Sequence, residues 1–262
     1  MATYKIYINR GHSNTDPGAV GYEVERKLAV KVGDYMEACL KANYKCSIKG
    51  NPGTMGSLTA IANDANKWGA DLVVSIHFNA GGGDGFEALV YGPDRRDLGK
   101  AFEKRVIAIG QNSRGIKYRS DLGILRLTNM PAVLVECAFV DNKKDIRDWD
   151  ENAELKKMGE ALAHAAADYL GLPRKKGKYY TVGKTYTLQA NMAVRTGAGE
   201  NYRQKKRSEL TPGGKKGSLD QTYAVLKKGE RVTCLRTSND GKWIRIPSGW
   251  ICGRDGDKIY IK

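Results

Sequence analysis

Three short apolar runs each end on a polar residue that an apolar strand has no reason to carry. Residues 4–9 (YKIYIN) lead into Gly11-His12, residues 71–76 (DLVVSI) into His77-Phe78-Asn79, and residues 132–135 (AVLV) into Glu136. Between these runs the apolar period lengthens from two to between three and four. Leu28, Ala29, Val32, Tyr35, Met36, Cys39 and Leu40 fall on one side of a helix. Ser57 is placed to cap a helix over residues 58–68, which Gly69 ends. Further strands are expected over 44–48, 71–77, 86–91 and 133–136. Helices are expected over about 97–109 and 152–170, the last stopped by Gly171-Leu172-Pro173. Strands alternating with helices of this length predict an α/β fold, a largely parallel sheet with helices on both faces.

After residue 173 the pattern changes. Arg174-Lys-Lys-Gly-Lys178 reads as a linker, and short strands follow over 179–182, 193–195, 223–226, 231–236, 243–246, 250–252 and 258–261. Glycine occupies several of the turns between them, the signature of a small all-β barrel or sandwich. The polar stretch 204–221 is expected to be a long loop. The organisation read from the chain is therefore a first domain over 1–173, a linker over 174–178 and a second domain over 179–262.

Charge sharpens that division. Of a net charge of +15, residues 174–262 hold 21 Lys and Arg against 7 Asp and Glu, while residues 1–173 hold 23 against 22. A basic C-terminal part points to an anionic partner: nucleic acid, a membrane surface, or a bacterial wall rich in phosphate and carboxylate. The five cysteines are scattered, with no CxxC pair, and read as reduced thiols. The start carries neither a basic n-region nor an apolar h-region, and no apolar run approaches the ~18 residues of a membrane span. The protein is expected to be made in the cytoplasm without a signal peptide.

The chain has three histidines, and two end predicted strands. In open α/β sheets ligands converge at the carboxyl ends of the strands. A hydrolytic zinc site takes three N or O ligands and leaves one position open. His12 and His77 supply nitrogen, and the carboxylate candidates in the first glycine-rich loop are Asp16, Glu23 and Glu25. Glu25 heads the first helix, in a context that aims it back at the strand ends. Glu136 ends an apolar strand, where an ionisable group is costly without a partner; a metal-bound water is such a partner, with Glu136 as its general base. Each residue also has a plainer reading. A strand-end histidine can be a satisfied hydrogen bonder, Glu25 a first-turn acid facing the helix dipole, and His164 a packing or surface residue. Cys137 points to the face opposite Glu136 and reads as a small buried residue.

Gly11-His12, Asp16-Pro17-Gly18-Ala19, Glu25-Arg-Lys-Leu28, Ser75-Ile-His77-Phe-Asn79-Ala80, Gly85-Phe-Glu87 and Pro131-Ala-Val-Leu-Val-Glu136-Cys-Ala-Phe139-Val-Asp-Asn142 together resemble the zinc-dependent N-acetylmuramoyl-L-alanine amidases of the amidase-3 type, over about residues 3–170. The resemblance implies zinc ligands at His12, Glu25 and His77, Glu136 as catalytic acid/base, and Asn79 as a residue that orients a ligand or the substrate. The family's usual glycines after the first histidine and two after the catalytic glutamate are Ser13 and Ala138 here, which alters loop shape. Met192-Ala-Val-Arg-Thr-Gly-Ala-Gly-Glu-Asn-Tyr202, residues 225–232 and Lys242-Trp-Ile-Arg-Ile246 resemble a bacterial SH3 (SH3b) wall-binding module. The combination is similar to phage endolysins of Gram-positive hosts. It implies zinc-assisted hydrolysis of the amide between the lactyl group of N-acetylmuramic acid and the L-alanine of the stem peptide. Peptidoglycan and wall polymers are then the partners, without nucleic acid or membrane insertion, and the enzyme acts on the wall after release. Two other readings remain: a metal-independent cysteine amidase or peptidase using Cys137, and a non-enzymatic polyanion- or wall-binding protein. In the second, His12, His77 and Glu136 have no role. Of the C-terminal aromatics Trp243, Trp250, Tyr202 and Tyr223, Trp243 is expected in the core.

Overall fold

The apolar runs that end on His77 and Glu136 become neighbours at the centre of one sheet. The computed structural model describes residues 3–173, 179–238, 241–255 and 258–262, and the chain divides between residues 175 and 176 into two compact units. The expected linker, 174–178, lies outside the described residues. In the first unit, β1 (Lys5–Arg10), β2 (Ser47–Asn51), β3 (Leu72–Asn79), β4 (Phe86–Val90), β5 (Ser113–Tyr118) and β6 (Ala132–Phe139) form a sheet in the order β2-β1-β3-β6-β4-β5. β2, β1, β3 and β6 run parallel, but β4 is antiparallel to β6 and carries β5 with it. The sheet is thus mixed: four of its five strand pairings are parallel, as expected, and one is antiparallel. Its physical reason is the connection after β3: residues 80–85 (AGGGDG) are too few for a parallel crossover, which takes a dozen residues or more.

Alternation along the strands sorts the core into two clusters. Ile6, Ile8, Val74, Ile76, Val133 and Val135 pack under α1 (Glu25–Asn43), α3 (Arg96–Ile107) and α6 (Asn152–Leu170), together with Ile146 and Trp149 of α5 (Lys143–Trp149). Tyr7, Val73, Leu89 and Leu134 point the other way. They meet Ile61 and Ala65 of α2 (Leu58–Trp68) and Ile124 and Leu125 of α4 (Gly123–Arg126). This second face carries two short helices and the first carries three long ones. His77, Glu136 and Glu87 share the parity of Val73, Leu134 and Leu89, so all three project from the thinly covered face.

α2 begins and ends where the sequence places it, with Ser57 Oγ accepting from the Ala60 amide and Gly69 left-handed at φ 68°. β5, α4 and α5 were not expected. β5 (SRGIKY) is a half-exposed edge strand without clean alternation, and the two helices are only four and seven residues long.

The second unit is built from short antiparallel ladders. β7 (Thr185–Thr187) pairs with β10 (Arg231–Thr233), and β8 (Met192–Ala193) with β9 (Val225–Leu226). β11 (Arg236–Thr237), β12 (Trp243–Ile246) and β13 (Gly249–Cys252) form a three-stranded sheet, and β14 (Arg254–Asp255) pairs with β15 (Lys258–Ile259). No strand forms over 179–182; Tyr180 instead packs into the core with Leu188, Val194, Ile244 and Ile251. The expected loop 204–221 contains a short helix, α7 (Pro212–Lys216), held by a Thr211 cap. Trp243 is buried, Trp250 half-buried, and Tyr202 and Tyr223 are exposed. Among the described residues no helix is long and apolar enough to cross a membrane.

α1 and α6 pack closely because Gly159 has no side chain: a Cβ there would lie 2.6 Å from Tyr35 Cβ and 2.7 Å from the Val32 carbonyl oxygen. Glycine to alanine inside a helix ordinarily stabilises by about 1 kcal/mol. Here overpacking reverses the sign, and Gly159→Ala is expected to cost about 1–3 kcal/mol. Urea unfolding followed by circular dichroism measures it, and a midpoint equal to or above wild type would contradict the close packing.

Candidate metal centre and active site

Glu25 is the residue on which the site converges. It is the first residue of α1, whose N-cap, Val24, offers no side-chain cap. The Glu25 carboxylate instead bonds amides outside the helix. Oε2 accepts from the Ala19 amide at 2.8 Å and Oε1 from the Phe78 amide at 3.2 Å, joining the glycine-rich loop to β3. Oε1 also lies 2.9 Å from His77 Nδ1 and 2.9 Å from His12 Nε2. One ligand atom from each of His12, Glu25 and His77 falls within 4.8 Å of the others.

Backbone conformation brings His12 in. It sits at φ 69°, the one non-glycine residue with positive φ among those described. Strain of this kind persists where surrounding contacts hold it, commonly at a functional site. Asp16 supplies such a contact: its Oδ2 is 2.9 Å from His12 Nδ1 and its Oδ1 accepts from the Gly18 amide at 3.0 Å. With Nδ1 held by Asp16, Nε2 faces inward, the arrangement by which a second carboxylate orients a ligating histidine. Of the three acidic candidates, Glu25 therefore enters the cluster and Asp16 supports it. Glu23 contributes its backbone carbonyl to the Gly21 amide.

Two features fit a cation at the centre. His12 Nε2 is buried and, although 2.9 Å from Glu25, makes no hydrogen bond of acceptable geometry. Beside it, Gly18 leaves a space: a Cβ there would fall 2.5 Å from both Glu25 Oε2 and His12 Nε2. Two imidazole nitrogens and a carboxylate are a donor set suited to zinc. Electrostatics agree. Burial opposes ionisation of Glu25, but contact with His12, His77 and the Ala19 amide outweighs it and holds the carboxyl at about 2. The Glu25 carboxylate, against a smaller opposing effect of burial and with help from Asp16, raises His12 to about 9. The cluster is a negative site that holds a proton where a metal could sit.

Glu136 stands next to it. In the sheet register it pairs with His77 on β3 and with Glu87 on β4, which puts the three side chains in one row on one face. Its Oε2 is buried without a hydrogen-bond partner. Burial first, then the charges of Glu25 and Glu87, raise it to about 8, against the opposing pull of His12 and Arg119. Glu87 is held differently: Arg114 Nε donates to its Oε1 at 2.7 Å, and Asn79 Nδ2 reaches its Oε2 at 3.4 Å. Asn79 thus bonds Glu87 and, through Oδ1, the Ala80 amide, and does not join the ligand cluster.

The loop after β3 is fixed from below. Asp141 Oδ2 accepts from the Gly81 and Gly82 amides at 2.7 and 2.9 Å, and Asp145 Oδ2 from the Gly85 and Phe139 amides at 2.9 and 2.8 Å. Glu87 and Asp145 received no role from the sequence. For Glu87 the available signal was the one that singled out Glu136, an ionisable residue inside an apolar run. Asp145 carries no such signal, because its function is to satisfy amides brought near by the fold. Cys137 points to the opposite face, is fully buried, and burial pushes its thiol well above its ordinary range. That environment removes the thiolate a cysteine mechanism needs. His164 is buried, with Nδ1 2.7 Å from Tyr44 Oη, and belongs to the packing of α1 against α6.

Known proteins resemble this chain in sequence and fold. The chain is 32% identical over 185 residues to the endolysin of Bacillus phage SPP1, covering 66% of this chain and 68% of that protein. It is 31% identical over 186 residues to the N-acetylmuramoyl-L-alanine amidase CwlM of Bacillus licheniformis, covering 68% and 73%. A 26% match to an uncharacterized protein of Clostridium perfringens extends over 254 residues, 91% of this chain and 71% of that one, and so enters the second unit. The solved catalytic domain of CwlV, an N-acetylmuramoyl-L-alanine amidase from Bacillus (Paenibacillus) polymyxa, superposes with a TM-score of 0.62 at 25% identity, covering 65% of this chain and all of that domain. Residues 6–168 match a single family along their whole length, and the chain belongs to the N-acetylmuramoyl-L-alanine amidases of the Amidase_3 family.

Proposed function

We propose that the chain is a zinc-dependent peptidoglycan amidase of the endolysin type. It would cleave the amide between the lactyl group of N-acetylmuramic acid and L-alanine, and its C-terminal unit would be an SH3b module that holds it on the wall. The observation that carries this reading is the row His77–Glu136 beside the His12–Glu25–His77 cluster: a cation-binding set with an unpartnered, buried carboxyl one strand away. Family membership supports the bond cleaved, and the phage relative supports the endolysin role.

His12, Glu25 and His77 would hold the metal. A zinc ion bound there would polarise the amide carbonyl and lower the pKa of a water. The rest of the chemistry belongs to this chain. Glu136, without a competing hydrogen bond at Oε2, takes a proton from the attacking water and returns it to the departing alanine nitrogen. An amide nitrogen leaves poorly without that proton, so both transfers are needed. Glu25 and Asp16 hold the two imidazoles in the orientation the cluster requires. The +14 C-terminal unit, whose acids number only 7 against 21 bases, would raise the local concentration of substrate by binding an anionic wall.

Replacing Glu136 separates the roles. Glu136→Gln is expected to retain about one zinc per chain while wall hydrolysis falls about 10²–10⁴-fold; His77→Ala is expected to lose both. Metal analysis and release of new amino-terminal alanine from purified walls measure the two effects. Full hydrolysis by Glu136→Gln, or by a chain from which metal has verifiably been stripped, would remove this mechanism.

Protons compete with the metal in a defined direction. His12, raised to about 9, is protonated below that pH and must be neutral to ligate. Zinc added to the metal-free chain at pH 8 is therefore expected to release about one proton per site, and affinity should rise with pH until about 9. In the metal-free protein the same shift stabilises the fold below about 6.5, a contribution lost as pH rises through 9. Calorimetry in buffers of different ionisation enthalpy reads the proton count, and a count of zero at pH 8 would contradict the assignment of His12.

Deleting residues 174–262 should leave zinc content intact and weaken pelleting with cell walls. Equal pelleting of the shortened chain would show that the second unit is not the anchor.

A further inference from the structure

We propose that Lys117 and Arg119, on and just beyond the edge strand β5, form the subsite that binds the carboxylate of the second stem-peptide residue. The proposal rests on the amidase reading and adds where the departing peptide lies.

The direction follows from Glu136. The ligand cluster is carried by β3, the loop after β1 and the start of α1, whereas Glu136 is on β6, on the side of β3 away from β1. A residue that hands a proton to the alanine nitrogen must lie on the peptide's side of the scissile bond. The peptide therefore leaves over β6, β4 and β5, and the glycan lies toward β1 and β2. From β6 to β5 is two strand spacings, about 10 Å across, and Lys117 is level with Leu89 and Leu134, two residues or about 7 Å along the strands from Glu136, so the two backbones lie about 12 Å apart. Two extended residues span about 7 Å from the amide nitrogen, and a lysine or arginine side chain covers the remainder.

The chemistry along that route is specific. Leu89 and Lys117 are register partners, so Lys117 projects from the same face as Glu87 and Glu136. The Lys117 side chain has no ion-pair or hydrogen-bonding partner among the described residues, and the residue is exposed. On the β2 side the corresponding cation, Lys49, is already engaged by Asp64 at 2.6 Å. Arg119 makes a two-pronged contact with Asp121 at 2.8 and 2.8 Å, but Asp121 is 65% exposed, so a ligand carboxylate can share or replace it. The Arg119 charge reaches both Glu136 and Glu87. Without such cations a carboxylate moving past Glu136 and Glu87 meets two acids and one neutralising arginine, Arg114. The surplus cations on β5 make the route favourable for a peptide whose second residue is acidic. They offer nothing to the same peptide with that carboxyl amidated.

Two muramoyl-dipeptides test this, one with the free carboxylate on the second residue and one with its amide, both assayed for released amino-terminal alanine. The zinc-loaded wild type is expected to prefer the acid by about tenfold in kcat/KM. In the double variant Lys117→Gln/Arg119→Gln that ratio should fall to about one, and in Lys117→Glu/Arg119→Glu it should invert. Zinc content and melting temperature confirm that each variant is folded, and the ratio is internal to each protein. A wild-type ratio of one, or a ratio unchanged in both double variants, overturns the subsite while leaving the amidase reading intact. Cleavage of neither compound by the zinc-loaded wild type overturns the amidase reading and this proposal with it.

Discussion

A single buried carboxylate, that of Glu25, sets the geometry of the whole site. An ionised carboxyl away from water costs several kcal/mol unless its lone pairs are filled. Here two backbone amides, from Ala19 and Phe78, and two imidazoles surround it. Those partners come from the loop after β1 and from β3, and Glu25 itself begins α1, so satisfying one charge ties three separate pieces of chain together. The left-handed conformation of His12 and the side-chain-free position of Gly18 are consequences: both are needed for the histidine to approach that oxygen. The same contact that stabilises Glu25 as an anion creates the electronegative centre that a cation can occupy. Structural and chemical roles are inseparable at this residue.

The unequal covering of the sheet determines what that centre can reach. Three long helices bury one face completely, and a short pair covers only part of the other. Strand alternation then divides the residues: those of one parity pack under the long helices, and those of the other form the smaller core and, at the strand ends, face the open region. His77, Glu136 and Glu87 fall in register across three neighbouring strands only because β4 is antiparallel to β6 and starts where β6 ends. The short glycine loop that forces this reversal is therefore a functional element, and Asp141 and Asp145 fix its amides in place.

Much of this was legible in the sequence, and the pattern of what was not is physical. His12, His77 and Glu136 stood out because each interrupts an apolar run, a local signal. α2 was legible to its ends because Ser57 and Gly69 act within a few residues. The reversal of β4, the edge strand β5 and the short helices α4 and α5 were not, since pairing partners far along the chain decide them. Asn79 was placed near the ligands by its position after His77, yet its side chain turns to Glu87, a partner eight residues later in sequence and one strand removed from Glu136. In the second unit the strands 243–246 and 250–252 were anticipated closely. The buried turn around Tyr180 was not, because an aromatic-rich run reads equally as strand or as packed loop.

Glu136 and Glu87 show how identical side chains acquire different work. They are direct cross-strand partners on one face, where two negative charges repel. Arg114, 2.7 Å from Glu87 and stacked 5.1 Å from the Phe139 ring centre, gives Glu87 a direct ionic partner that Glu136 lacks. Glu136, with a buried oxygen lacking any partner, is left to hold the proton and is raised to about 8. Two carboxyls held in such different environments can divide the work of ion-pair partner and proton carrier. A cation in the adjacent cluster would favour the ionised form of Glu136 and so oppose the effect of Glu87. A residue balanced between those two influences is suited to take a proton in one half of an amide hydrolysis and give it back in the other. Asn79 and Arg114, by holding the Glu87 side chain, fix where that neighbour of Glu136 sits.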